Sequence, residues 1–219
     1  MNLLEKLDPM PLKGKYSQYG EDAIAQIVFD HIGTTNKVCV DIGAGEYDGT
    51  MSNTRLLEEN GWRRIAFDIN AKEGSNVVKA MVTPDNVGGL LYSLDVPWKF
   101  DFLSLDIDSC DYYVLDQILM EAFWPSIICV EFNGCLDPNI PVSQEYQEGY
   151  TWDKTDNYGF SWKAGYDLLT SYGYIVFLNQ HNTNMWATRA ELADFEPPVF
   201  DVKRTQYHPH NPNAKFVRV

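Results

Sequence analysis

Cysteine is sparse in this 219-residue sequence, with Cys39, Cys110, Cys129 and Cys135 its only four, and none stands in the paired spacing of a zinc ribbon or a redox motif. Cys39 and Cys129 lie inside apolar runs, so reduced, buried thiols and a cytoplasmic setting are expected. No run approaches the about 18 apolar residues of a membrane span, and the opening MNLLEKLDPMPLKGK has no signal-peptide core, so no membrane partner is expected. Basic residues are also few: 17 lysines and arginines stand against 31 carboxylates, for a formal charge of −14. A binder of phosphate backbones needs a basic face to displace counterions, so nucleic acid is not an expected partner. Between Phe100 and Asp153 lysine and arginine are absent altogether, while the same stretch holds eleven carboxylates. That stretch is either a solvated acidic face, covered by the basic tail near the end, or the holder of a metal ion or a positively charged ligand.

What is present is enough for a folded domain: 45% of the residues are hydrophobic and 14% aromatic. EDAIAQIVFDH (21–31) has helical spacing, and KVCVDIG (37–43) is an apolar run stopped by glycine, as a buried strand is. RLLEEN reads as a short helix capped by the Ser52-Asn53-Thr54 segment. RRIAFDI (63–69), a weaker VVKAMVT (77–83), DFLSLDI (101–107) and SIICVEF (126–132) continue the series of strands, with a helix over 112–123. After a polar, aromatic segment (133–160) come a helix at 161–172 and an antiparallel pair, 174–178 and 185–188. Alternating strands and helices imply an α/β fold, a mostly parallel sheet with helices on both faces. The chain is expected to form one domain over 1–219, with an N-terminal extension (1–14), the aromatic insertion (133–160) and a Pro-rich basic tail (197–219).

The first strand runs into VDIGAGEYDGT (40–50), where glycines allow a tight turn and a close ligand approach. The second strand ends in Asp68, an acceptor for ribose hydroxyls. The dinucleotide fingerprint requires a third glycine at position 48, which is Asp48, and Asp41, Glu46 and Asp48 would repel a pyrophosphate. An acidic loop instead suits a cationic sulfonium ligand, S-adenosylmethionine. Two alternatives stay open: a nicotinamide-dependent reductase on a similar sheet, and a nucleotide-binding module without chemistry.

Together YSQYGEDAIAQIVFDHIG, VDIGAGEYDGTMSNTRLLEENGWRRIAFDIN, DFLSLDID and PSIICVEFN resemble the FkbM-type S-adenosylmethionine-dependent methyltransferases over about residues 15–190. The resemblance implies a Rossmann-like sheet of seven strands with the last antiparallel, and O-methyl transfer to a small acceptor such as a sugar or secondary metabolite. It implies that Asp41, Gly43, Ala44 and Gly45 line the methionine end of the cofactor. Asp68 would take the ribose, Ile69 and Asn70 the adenine side, and Gln18, Ser52 and Asn53 the amino-acid part. Two departures stand out: only AKEGSN separates strands two and three, and Asp106-Ile107-Asp108-Ser109 replaces the usual Asp-Val-Glu-Gly.

Methyl transfer to a hydroxyl requires alignment and removal of a proton. The ends of strands four and five offer Asp106, Asp108 and Glu131 as catalytic candidates, although Asp106 and Asp108 could equally cap the helix that follows. Asp106, Glu131 and Asn133 present hard oxygen ligands suited to Mg²⁺ or Ca²⁺. His181, in the loop of the antiparallel pair, is a candidate general base, or a loop histidine with no task. Tyr146, Tyr150, Trp152, Tyr158, Phe160 and Trp162 would overhang the acceptor, or would face a second subunit in a homodimer.

Overall fold

The computed structural model of the chain describes residues 1–11, 13–45 and 51–219. Its elements run α1 (Leu3–Lys6), α2 (Glu21–Ile32), β1 (Val38–Ile42), α3 (Arg55–Glu59), β2 (Arg63–Asp68), β3 (Val78–Lys79), α4 (Val87–Ser93), β4 (Lys99–Leu105), α5 (Asp111–Met120), β5 (Trp124–Glu131), β6 (Val142–Gln144), α6 (Trp162–Ser171), β7 (Tyr174–Gln180), β8 (Asn184–Arg189) and β9 (Phe216–Arg218). Seven strands form one sheet in the order β3-β2-β1-β4-β5-β8-β7. The pairs through β5 are parallel, and β8 runs antiparallel to both β5 and β7. This is the expected Rossmann-like sheet, with its one reversed strand in the expected place.

Period-two alternation divides the strand residues between two cores. Val38, Val40 and Ile42 of β1 join Ile128 and Val130 of β5 beneath α4, α5 and α6. Cys39, Ile127, Cys129 and Trp186 point the other way, onto Leu3, Ile24, Val28 and Leu57 of α1 to α3. The four cysteines are free thiols. Among the described residues no helix is long and apolar enough to cross a membrane.

Three features differ from the sequence reading. The strand expected over 77–83 shrinks to Val78–Lys79 at the sheet edge, and both its residues are exposed. Helix α4 (VGGLLYS) carries two glycines, which weaken its intrinsic signal, and it forms because Val87 and Leu91 are buried. The Pro-rich end gains a strand the sequence reading did not include: β9 pairs antiparallel with β6, matching Gln144 to Phe216, so the tail clasps the aromatic insertion.

The parallel core is aligned from below by Asp101, which is 1% exposed on β4. Its carboxylate accepts from the backbone N–H groups of Thr35, Asn36 and Lys37 at 2.7–3.0 Å, fixing the entry to β1. Asp101→Ala removes the buried acceptor that three backbone N–H groups share. It is expected to lower the unfolding free energy by about 3 kcal/mol, read from the urea midpoint at unchanged m-value.

Candidate active site

A cavity of about 620 Å³ opens where the strands β1, β2 and β4 end, the crevice in which open α/β sheets bind ligands. Gly43 closes β1 with φ +87°, and its N–H donates to the Phe67 carbonyl at 2.9 Å. A Cβ there would lie 1.6 Å from the Asp106 carbonyl oxygen, so only glycine lets the ends of β1 and β4 come this close. Gly43, Gly45, Asp68, Ile69 and Asn70 all line the cavity. Asp68 holds its own turn by accepting from the Asn70 N–H at 2.6 Å.

Gln18 reaches the same cavity from the N-terminal loop. The loop is folded around two buried acids of α2. Asp22 accepts from the N–H groups of Lys15 and Tyr16 and the hydroxyl of Ser17. Glu21 accepts from the Tyr19 N–H at 2.8 Å and from Asn184 of β8 at 3.0 Å. The acids of the GED segment thus work as loop anchors that deliver Gln18.

Other residues expected at the cofactor sit elsewhere. Asp41 is 2% exposed and does not line the cavity. Its carboxylate accepts from Ser52 Oγ at 2.5 Å and Thr54 Oγ1 at 2.7 Å, and the buried Arg64 guanidinium lies 3.7 Å away. Ser52 is therefore spent on Asp41, Asn53 donates to Ser104 Oγ, and Ala44 packs with Ala66, Ala71 and Val77. The Asp41 cluster ties β1 to α3 across the intervening loop, and Glu46, Asp48 and Gly49 of that loop lie outside the described residues.

At the ends of β4 and β5 the structure brings together Asp106, Asp108 and Glu131, each with a carboxylate oxygen within 4.8 Å of the others. Asp106 and Asp108 line the cavity. Asp108 has φ +53°, a left-handed conformation that aspartate tolerates better than most residues. The turn is shaped by Asp111, which accepts from the N–H groups of Ile107 and Ser109. Burial pushes the Asp111 carboxyl up to about 6 despite those two bonds.

Burial, reinforced by the neighbouring acids, drives Asp106 and Glu131 well above the usual carboxylate range, and the two share a hydrogen bond with Glu131 donating. Asp108 is raised by burial and pulled back by the charge of His208. Glu131 Oε2 is buried with no hydrogen-bond partner.

Asn133 does not join this cluster. Its amide donates to the Asp156 and Tyr158 carbonyls and its oxygen accepts from the Cys135 N–H, so the side chain is used to shape the segment after β5, and it does not line the cavity. His181 is exposed on the β7–β8 turn and does not line the cavity. The histidine that approaches the acids is His208, which sequence spacing does not single out. It packs edge-on against Trp152 (4.9 Å between centroids) and Tyr158 (5.7 Å) because the tail is pinned across Gly134 and Asp156. Of the aromatic insertion, Tyr146, Tyr150 and Trp152 line the cavity, whereas Tyr158, Phe160 and Trp162 are buried. Gln144, Ala80 to Thr83 and Cys110 also line it, and only the end of the third strand carried a sequence signal.

A carboxyl whose folded pKa lies above its unfolded value stabilises the fold fully at low pH and loses that contribution as pH rises through the folded pKa. Glu131→Gln keeps a donor toward Asp106 and removes one charge. Its melting temperature is expected to exceed that of the parent by a few degrees at pH 8 and to converge with it near pH 4, as followed by calorimetry.

Among solved structures, the chain is similar to the Burkholderia thailandensis 1,6-didemethyltoxoflavin-N1-methyltransferase with bound 1,6-didemethyltoxoflavin and S-adenosylhomocysteine. The identity is 16% over 78% of this chain and 78% of that chain, with a TM-score of 0.45. It is also similar to the pyocyanin biosynthetic protein PhzM, at 17% identity over 76% of this chain and 54% of that chain, with a TM-score of 0.39. No family model and no curated protein matches the chain.

Proposed function

We propose that this chain is an S-adenosylmethionine-dependent methyltransferase that acts on a hydroxyl of a small acceptor. The observation that carries this reading is the composition of one cavity: the glycine turn after β1, the acid ending β2 and the paired acids ending β4 all line it, and no lysine or arginine does among the described residues. A pyrophosphate cofactor would meet Asp68, Asp106 and Asp108 with no basic side chain among the described lining residues to answer it. A ligand bearing a sulfonium and an ammonium group finds its counter-charges there, with Asp68 placed for ribose hydroxyls.

When bound, the cofactor supplies an activated methyl group for in-line displacement. Gly43 and Gly45 bring backbone close to it, and Gln18 closes the side opposite the strands. The acceptor lone pair forms the new bond to the methyl carbon as the carbon–sulfur bond breaks. Asp108, on the cavity wall, takes the acceptor proton. Asp106 and Glu131 hold one proton between them beside it, so Asp108 is not surrounded by two further full charges.

The orphaned Glu131 Oε2 favours a second component, a divalent cation such as Mg²⁺ or Ca²⁺ held by Asp106, Asp108 and Glu131. Such an ion would lower the acceptor's pKa. If it binds, Mn²⁺ titrated as a relaxation probe of water protons gives a saturable enhancement that Asp108→Asn abolishes. A wild-type titration without enhancement removes the ion from the mechanism.

Calorimetric titration is expected to show S-adenosylhomocysteine binding and no NADH binding. Asp68→Ala should weaken the former by roughly tenfold or more, as loss of a charge-assisted bond does. Asp108→Asn should retain it while cutting tritiated methyl transfer, assayed over a panel of hydroxylated small molecules, by about 100-fold or more. Absence of S-adenosylhomocysteine binding at millimolar concentration would defeat the proposal.

A further inference from the structure

Gln144 is 3% exposed, yet its side-chain nitrogen has no hydrogen-bond partner. The residue itself is firmly held. It ends β6, where its N–H donates to the Gly159 carbonyl at 2.8 Å and its own carbonyl accepts from the Tyr113 hydroxyl at 3.1 Å. The Tyr150 hydroxyl donates to the Asn157 carbonyl at 2.7 Å and accepts from Asn157 Nδ2 at 3.2 Å, and the Gln144 amide stands beside it without reaching hydrogen-bond geometry. The side chain lines the cavity, and so do Tyr146, Tyr150 and Trp152 of the same insertion.

A buried amide donor without a well-placed acceptor is costly, and the fold supplies none in hydrogen-bond geometry. The arrangement makes sense when a ligand supplies the missing acceptor. The wall it belongs to is aromatic, which suits the face of a ring. Asp68, Asp106 and Asp108 also line the cavity, and no lysine, arginine or histidine does among the described residues. A phosphate or carboxylate on the ligand would have only repulsion to meet.

We infer that Gln144 is a binding residue for the methyl acceptor, and that the acceptor is an uncharged, ring-bearing molecule offering a hydrogen-bond-accepting oxygen or nitrogen to its side-chain amide. The inference rests on the methyltransferase reading and deepens it by naming the acceptor's chemistry. Gln144 touches the acceptor and takes no part in proton removal, so its loss weakens acceptor binding and spares the cofactor.

The test pairs two probes of one shape, benzamide and benzoate, with the wild type and Gln144→Met, which keeps the side chain's length and removes the donor. Ligand-observed NMR with S-adenosylhomocysteine saturating is expected to show benzamide binding the wild type roughly tenfold tighter than benzoate, and roughly tenfold weaker binding of benzamide to Gln144→Met. S-adenosylhomocysteine affinity should agree within about twofold between the two proteins. The melting temperature of Gln144→Met without ligands should equal or exceed the wild-type value, because the variant loses an unsatisfied donor. A fall of about 5 °C or more would show a structural glutamine instead. Equal benzamide binding by the two proteins, benzoate binding as tight as benzamide, or no benzamide binding to the wild type below about 10 mM would each overturn the inference. Should S-adenosylhomocysteine itself fail to bind, the methyltransferase reading falls, and the comparison of benzamide on the two ligand-free proteins still decides the role of Gln144.

Discussion

Negative charge without a basic side chain to answer it is the constraint on which this molecule turns. Asp106, Asp108 and Glu131 converge at the ends of β4 and β5, inside a stretch of sequence from Phe100 to Asp153 that contains no lysine or arginine. A parallel sheet forces the convergence, since every strand from β1 to β5 delivers its C-terminal end to the same edge. Three carboxylates this close cannot all ionise in a partly buried setting. The fold answers with carboxyls at Asp106 and Glu131 raised well above the usual range by burial and neighbouring acids, and with His208 carried in from the tail toward Asp108. What a ligand brings to this edge must be neutral or positive.

The remaining acids show how such charge is handled when function does not intervene. Asp22, Asp101 and Asp111 each gather backbone N–H groups, and Asp41 gathers two hydroxyls and a guanidinium. These four hold, respectively, the loop that carries Gln18, the entry to β1, the turn after β4 and the start of α3. A carboxylate that accepts several amides has its charge spread over fixed dipoles and costs the fold little. Asp106 and Glu131 instead face each other. The net charge of −14 therefore mixes scaffold acids with a smaller set left unanswered at one place.

The sheet was legible from sequence because the strands are apolar runs closed by glycine or an acid, and the same pattern marked Gly43, Gly45, Asp68 and Asp106 for the cavity they line. Side-chain destinations were less legible. Asp41 and Asp68 look alike as strand-end acids, and only the buried Arg64 behind Asp41, contributed by the neighbouring strand, separates scaffold from site. Asn133 reads as an oxygen donor until its three backbone partners are seen. His208 and Gln144 were invisible for a different reason. Gln144 reaches its place through pairing between β6 and β9, a contact spanning more than seventy residues, and His208 through the tail's bonds to Gly134 and Asp156, and neither contact leaves a local period.

That pairing also explains where the fold leaves polar atoms unsatisfied. Among the described residues, Glu131 Oε2, Gln144 Nε2 and Asn157 Oδ1 are buried without partners, and all three belong to β5 or to the insertion that follows it. Arg64 Nη1 and Arg189 Nε share the condition elsewhere, but both belong to guanidinium groups that keep a carboxylate within 4 Å. Of the three near the insertion, Gln144 lines the cavity, whereas Glu131 and Asn157 do not. Their desolvation is held in place by the surrounding sheet, the β6–β9 clasp and the pinned tail. A chamber built this way is less stable empty than an apolar one of the same shape. The difference is recovered when a ligand with complementary donors and acceptors enters, which ties the selectivity of the site to the groups the fold leaves unpaired.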